Sequence, residues 1–299
     1  MTRPDEGFKS DALRAALSSA QRGDSAQLEQ LLTRHGHGHG RGPNLKLAAA
    51  FGAEVARLPG AVSALLDRLG RDDAAPDDAR VFLPIAAAHG WAHRLREGHD
   101  VEAAWAALAE LAGDERPAVR VGTREALIEL TMKDTVETLI ERARAWLELE
   151  DREIAFGAAA LVIECVGDAR LVTVVRDPDA LFSYLSRVLE KIDEAPRAAA
   201  RSDGRRRALT SIADTAAGVI ARVRGGERWF AGECERASHP DIRAALSQAL
   251  LKLSRGSHAP GGAVIEQLRK TLEASAKPLR DAARVRPGSG RGRRSRMTR

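Results

Sequence analysis

An all-α fold, built as a stack of antiparallel helix pairs, is what this sequence predicts. Three observations carry that expectation. Apolar residues recur with helical period along nearly the whole chain. The apolar set is dominated by Ala and Leu, with aromatics at only 4%. One segment also recurs at a fixed distance. Ala is the best helix former, and its small side chain lets helices pack closely. Strand-rich folds draw instead on β-branched and aromatic residues. The chain has 299 residues, of which 44% are hydrophobic, enough to bury a core. A stack of helix pairs needs no single closed core.

The charge is unevenly spread. The formal net charge is +5. The segment from Lys277 to Arg299 holds nine basic residues and one acid, Asp281, a net +8, which leaves −3 on the other 276 residues. The body is therefore mildly acidic and the C-terminal segment strongly basic. No run approaches the ~18 apolar residues of a membrane span, so no membrane partner is expected. The opening Met1-Thr2-Arg3-Pro4-Asp5-Glu6 lacks the basic-then-apolar pattern of a secretory signal. A cytoplasmic location is expected, with Cys165 and Cys234 as buried free thiols rather than a disulfide.

Residues 1–34 read as an N-terminal helical hairpin, with Leu13 and Leu17 four apart, then Leu28, Leu31 and Leu32. Residues 35–43 form a Gly/His loop, because alternating Gly and a closing Pro43 cannot propagate a helix. Residues 44–285 form the repeat domain. Phe51, Val55 and Leu58 share one stripe. Pro59 ends that helix and opens the next, which carries Val62, Leu65, Leu66 and Leu69. A helix from about Ala79 holds Val81, Ile85 and Trp91, with Pro84 in its first turns. Asp100 is the expected cap of the helix holding Trp105 and Leu108. Pro117 suits a first helical position, with Val119, Leu127 and Leu130 facing inward. Further helices carry Leu139 to Trp146, Asp151 to Val166 and Leu181 to Ile192. Residues 195–204 read as a charged insert, and four more helices are expected at about 205–223, 226–237, 239–253 and 262–284. Leu171 to Val175 is the best rival for a strand, but it stands alone. Residues 286–299, rich in Gly, Ser and Arg, read as a disordered basic tail.

The repeat aligns without gaps at an offset of 123: Pro117-Ala118-Val119-Arg120 against Pro240-Asp241-Ile242-Arg243, and Ala126 to Leu130 against Ala249 to Leu253. Three units of about 41 residues fit that offset. Each residue type has a physical role. The Pro starts a helix, the apolar residue enters the core, and the Arg can reach a loop acid such as Asp114 or the equivalent in a neighbouring repeat. The set Asp114, Val119 and Arg120 resembles the signature of HEAT and phycocyanobilin-lyase-like repeats. The wider layout, with Gly42 to Leu47, Phe82-Leu83-Pro84 and the later repeat, is similar to a family of bacterial HEAT-repeat proteins. That resemblance implies a HEAT-like α-solenoid acting as a scaffold, without an established activity. HEAT-like folds also occur in DNA alkylation-repair glycosylases, but their catalytic set maps onto no positions here.

Several residues bear on possible chemistry. His35, His37 and His39 are imidazoles of the kind that bind zinc, nickel or copper. Gly spacing favours a plain surface loop instead. Arg286, Arg291, Arg293, Arg294, Arg296 and Arg299, with Arg280 and Arg284, are suited to neutralising phosphates. Without aromatics among them, such binding is nonspecific. Trp91, Trp105, Trp146 and Trp229 read as core, with Trp229-Phe230 beside Arg228 and Glu233 the most site-like group. Cys165 among Val162, Ile163 and Val166 reads as packing. His89, His93 and His99 match no zinc-protease pattern and have no acid pair beside them. No phosphate-binding Gly loop, CxxC pair or GxSxG elbow occurs. The expectation is a non-enzymatic, cofactor-free scaffold whose partner is another protein. The alternative is a nucleic-acid-binding protein aided by the basic tail. A lyase-like or chaperone role for a chromophore rests on repeat similarity alone.

Overall fold

The structure is a computed structural model that describes residues 10–37, 42–58, 62–196, 199, 201–256 and 261–276. It is all-helical, and the described residues contain no strand. The helices are α1 (Ser10–Gln21), α2 (Ala26–His35), α3 (Leu45–Ala56), α4 (Ser63–Gly70), α5 (Phe82–Arg96), α6 (Val101–Gly113), α7 (Pro117–Thr131) and α8 (Val136–Trp146). They continue with α9 (Arg152–Val166), α10 (Ala169–Val172), α11 (Pro178–Glu194), α12 (Asp203–Arg222), α13 (Gly226–Arg236), α14 (Pro240–Arg255) and α15 (Gly262–Ala274). A 3-10 turn at Ala79–Val81 leads into α5, and Pro84 sits in the first turn of α5. The rival strand at Leu171 is helical, as α10.

Seven of the helices start at a side chain that accepts a backbone N–H. Asn44 accepts from Leu47, Thr135 from Thr138, Asp151 from Glu153 and Ile154, and Asp177 from Asp179 and Ala180. Asp100 departs from its expected capping role. It sits in the left-handed region at φ 49° and makes no side-chain cap bond. Its carboxylate is taken by the buried Arg94, at 2.9 and 2.6 Å, and by the Ser63 hydroxyl at 3.1 Å. A charge-assisted pair to a buried guanidinium outcompetes a neutral cap. The expected Gly/His loop also begins later than the sequence suggests. Helix α2 runs through His35, and the turn after it is closed by the Asn44 N–H on the Gly36 carbonyl, 2.7 Å. Pro59 and Lys277 to Arg299 lie outside the described residues.

Six helices touch in succession along one row, α3 to α5, α5 to α7, α7 to α9, α9 to α12 and α12 to α14. Other helices cover that row: α4 and α6 flank α5, α8 packs on α9, α13 on α12, and α15 on both α13 and α14. One contiguous core threads through both layers. It includes Leu13, Leu17, Leu28 and Leu32 of the N-terminal hairpin alongside Phe51 and Phe82. Side-chain hydrogen bonds show the same neighbour-to-neighbour order. Arg14 reaches Glu54, Arg116 reaches the Asp72 carbonyl, Arg124 reaches Asp168 and Ser211 reaches Glu164, at separations of 40, 44, 44 and 47 residues. Arg207 is an exception, reaching the Ala112 carbonyl across 95 residues.

Small residues let the row close. Helix α9 buries Ala155, Gly157, Ala158, Ala159 and Ala160. A Cβ on Gly157 would lie 2.8 Å from the Gly113 Cα, and one on Gly204 would lie 2.6 Å from the Glu153 carbonyl oxygen. Helices α6, α9 and α12 therefore meet backbone to backbone. The Glu153 carboxylate fixes that crossing by accepting from the Ser202 hydroxyl and the Gly204 N–H at the start of α12. Gly204→Ala is expected to destabilise the fold by about 1–3 kcal/mol through overpacking. Gly218→Ala, on the same helix with nothing within 4 Å of the added carbon, should be neutral or stabilise by up to about 1 kcal/mol. Urea denaturation of both variants checks the contrast. Equal effects would refute the close crossing.

Candidate functional site

The repeat signature is built the same way twice. Pro117 and Pro240 each open their helix, and Val119 and Ile242 are buried beneath. Arg120 donates to the Asp114 carbonyl at 2.9 Å and the Glu115 carbonyl at 2.7 Å. Arg243 donates to the Ala237 carbonyl at 3.4 Å and to the Ser275 hydroxyl at 2.5 Å. Both arginines therefore reach the carbonyl six residues back. This corrects the expectation that Arg120 meets the Asp114 carboxylate. That carboxylate is held by Arg116, through its backbone N–H at 2.7 Å and its guanidinium at 2.9 and 2.7 Å. The carbonyls after a helix end lack intrahelical donors and carry its negative pole, so a guanidinium satisfies both. Arg207 does the same for Ala112.

The turn before α10 repeats the Asp-x-Arg device. Asp168 accepts from the Arg170 backbone and guanidinium at 2.9 and 2.8 Å, and from Arg124 at 2.7 Å. Hydrogen bonding from Arg170 outweighs burial and holds the Asp168 carboxyl down at about 2. Arg170 also clasps Glu125 with two bonds of 2.9 Å. Elsewhere on the row Arg205 pairs with Asp241 at 2.7 Å and Lys252 with Asp214. These cations are taken up by the chain's own acids and do not join into a basic stripe.

The aromatic candidates are packing groups. Trp91, Trp105, Trp146 and Trp229 are all buried. Trp105 meets Trp146 edge-on, with ring centroids 5.5 Å apart, and Trp229 stacks on Phe182 at 5.6 Å. The Trp229 indole donates to the Ser186 hydroxyl at 3.1 Å, Ser186 donates to the buried Glu233, and Arg236 closes the network at 2.5 Å. Phe230 is buried beside it. Cys165 and Cys234 are free and buried, and burial pushes the Cys234 thiol up to about 12 and Cys165 further up. Neither is a thiolate at neutral pH.

Tertiary packing assembles one group that the sequence does not display as a site. His89 and His93 lie one turn apart on α5, and Glu129 comes from α7. The His89 ring is fully buried, and its Nδ1 stands 3.6 Å from Glu129 Oε2. Among the described residues, neither His89 nitrogen nor His93 Nδ1 has a hydrogen-bond partner, although all three atoms are shielded from solvent. Buried polar atoms are ordinarily paired. Gly52 of α3 makes room for this face: a Cβ there would lie 2.6 Å from both the His89 carbonyl oxygen and His93 Cδ2. Beside the cluster opens a cavity of about 310 Å³, lined by Ala49, Ala92, Ala126, Leu130 and Met132, with His93, Arg96, Glu129 and Lys133 as its polar members. The i, i+4 spacing of the histidines is legible in the sequence, but their acid partner is not.

Among the described residues, no three His, Cys, Asp or Glu side chains are arranged to hold a metal ion. His35 ends α2 and His37 pairs with Pro43 in an isolated bridge. His39 lies outside the described residues. So do Arg286, Arg291, Arg293, Arg294, Arg296 and Arg299.

Burial, with help from Arg96, lowers the His93 imidazole to about 4 from an ordinary value of 6.5. The unfolded chain therefore takes up this proton first. The neutral ring contributes its full stability above about pH 6.5, and that contribution is lost as pH falls toward about 4. The thermal midpoint is expected to drop between pH 7 and pH 5, and His93→Gln should flatten that slope. An unchanged slope in the variant would remove His93 as its source.

No family model matches the chain, and neither a curated protein nor a solved structure matches it.

Proposed function

We propose that this chain is a HEAT-like α-solenoid that serves as a non-enzymatic scaffold for another protein. The observation that carries this reading is the spacing of its long-range bonds. Side chains reach partners about one repeat away, as from Arg116 to Asp72 and from Ser186 to Glu233, 44 and 47 residues apart. Nearest-neighbour coupling of that length is characteristic of solenoids. The matching reach of Arg120 and Arg243 supports the same unit at both positions. A solenoid offers an extended surface for protein recognition. Val121 at 46% exposure and Met132 at 56% lie on α7 and at its end, and Leu251 lies exposed on α14. Apolar groups left in water on long row helices suit contact with a partner.

Cross-linked capture with the full chain, compared with V121E/L251E, tests the reading. A protein recovered by the natural sequence and lost from the double variant is the expected result. Recovery of no specific protein, or equal recovery by both, would count against it.

Nucleic-acid binding is the second reading, motivated by the net +8 between Lys277 and Arg299. Phosphate contacts release counterions, so affinity falls steeply with salt. The paired state of Arg124, Arg205 and Lys252 argues that the rest of the chain adds little. DNA titrations over about 50–200 mM salt should show weak, salt-sensitive binding that vanishes when residues 286–299 are removed. Salt-insensitive or tail-independent binding would overturn that division of labour.

A further inference from the structure

We propose that the cavity at the C-terminal end of α5 binds a small amphipathic monocarboxylate. The proposal goes beyond the scaffold reading and does not rest on it.

The cavity holds about 310 Å³, at the lower end of the range for small-molecule sites. Its walls come from three helices: Ala49 of α3, Ala92 of α5, and Ala126 and Leu130 of α7, with Met132 just beyond α7. Alanine walls leave room for an apolar body, and Met132 adapts its shape to what lies against it. At 56% exposure Met132 is also the most exposed large apolar side chain among the described residues, and a bound apolar body would cover it.

The polar members of the lining decide the sign of the ligand. Arg96 and Lys133 are cations and Glu129 is an anion. Glu129 is directed toward His89, whose imidazole is the largest influence lowering its carboxyl. Arg96 is paired with Glu97 at 3.1 Å. Among the described residues Lys133 has no acidic partner, so it is the group free to meet a carboxylate. A cavity with apolar walls and a lysine that has no acidic partner among the described residues complements an organic monoanion.

His93 adds a third feature. Its ring lines the cavity, so a carboxylate head held by Lys133 would lie against it and shift its resonances. The ring is neutral at physiological pH, so either tautomer is accessible to it.

The probe is 4-phenylbutyrate, compared with 4-phenylbutan-1-ol and 4-phenylbutylamine, on the full-length chain at pH 7.5. Imidazole nitrogen resonances report contact at His93, and calorimetry reports affinity. The carboxylate should shift His93 saturably, with a Kd of about 0.1–1 mM. The alcohol should bind at least about fivefold more weakly and the amine more weakly still. Lys133→Met should lower carboxylate affinity about five- to tenfold while leaving the alcohol unchanged. Ala126→Leu should fill the cavity and abolish both. Lys133 is largely outside the core, so its variant keeps the test valid should Ala126→Leu misfold. The proposal fails if the carboxylate leaves His93 unmoved up to about 5 mM. It also fails if the amine binds as well as the carboxylate, or if Lys133→Met changes nothing.

Discussion

Three backbones meet at Gly113, Gly157 and Gly204, and the array on either side of them depends on that meeting. A side chain on Gly157 or Gly204 would collide with main-chain atoms, which cannot swing aside. Helix α9 presents a run of alanines there, so α6 and α12 approach it more closely than Leu-faced helices could. Close approach gives apolar side chains many dispersion contacts. It also brings polar groups within reach across helices. Glu153 anchors the start of α12, Thr215 donates to the Ile163 carbonyl at 3.0 Å, and Arg207 reaches two carbonyls at 2.9 and 3.1 Å.

Arginine does much of the polar work at helix ends. Arg116, Arg120, Arg207 and Arg243 all donate to main-chain carbonyls, most of them in the turns between helices. Carbonyls in such turns have lost their helical donors and need partners when water is partly excluded. A planar guanidinium with five donors serves several at once. Lysine would leave part of each set unpaired. Burial lowers the Arg207 guanidinium, with Arg120 nearby adding to the effect, so this arginine stays bonded at a desolvation cost. Arg116 shows the opposite balance, because its hydrogen bond to Asp114 outweighs burial.

The His89, His93 and Glu129 group does not fit that pattern of satisfied bonds. Many other buried polar side chains are bonded: Thr123 and Thr131 return their hydroxyls to carbonyls four residues back at 2.9 and 2.7 Å, and Arg94 holds Asp100. Three buried imidazole nitrogens without hydrogen-bond partners among the described residues stand together here, beside a cavity. Exceptions to polar satisfaction concentrate where a protein binds something. Tyr184 is the comparable case without a cavity. Its hydroxyl is buried and unpaired, and burial pushes its ionisation well above the ordinary tyrosine range.

The sequence alone determined the secondary structure, because that information is local. Apolar stripes at helical spacing and prolines such as Pro117 and Pro240 each act within a turn or two of chain. The burial of the four tryptophans and two cysteines was legible for the same reason. Asp100 shows where locality fails: its cap position was clear, but Arg94 and Ser63 claimed its carboxylate. Arg120 reached a carbonyl rather than an acid because Arg116 already held that acid. The pairing of Arg124 with Asp168, the crossing at Gly157 and the meeting of His93 with Glu129 join residues on different helices. Their energies depend on distance and burial, which no spacing along the chain encodes, so only the tertiary structure decided them.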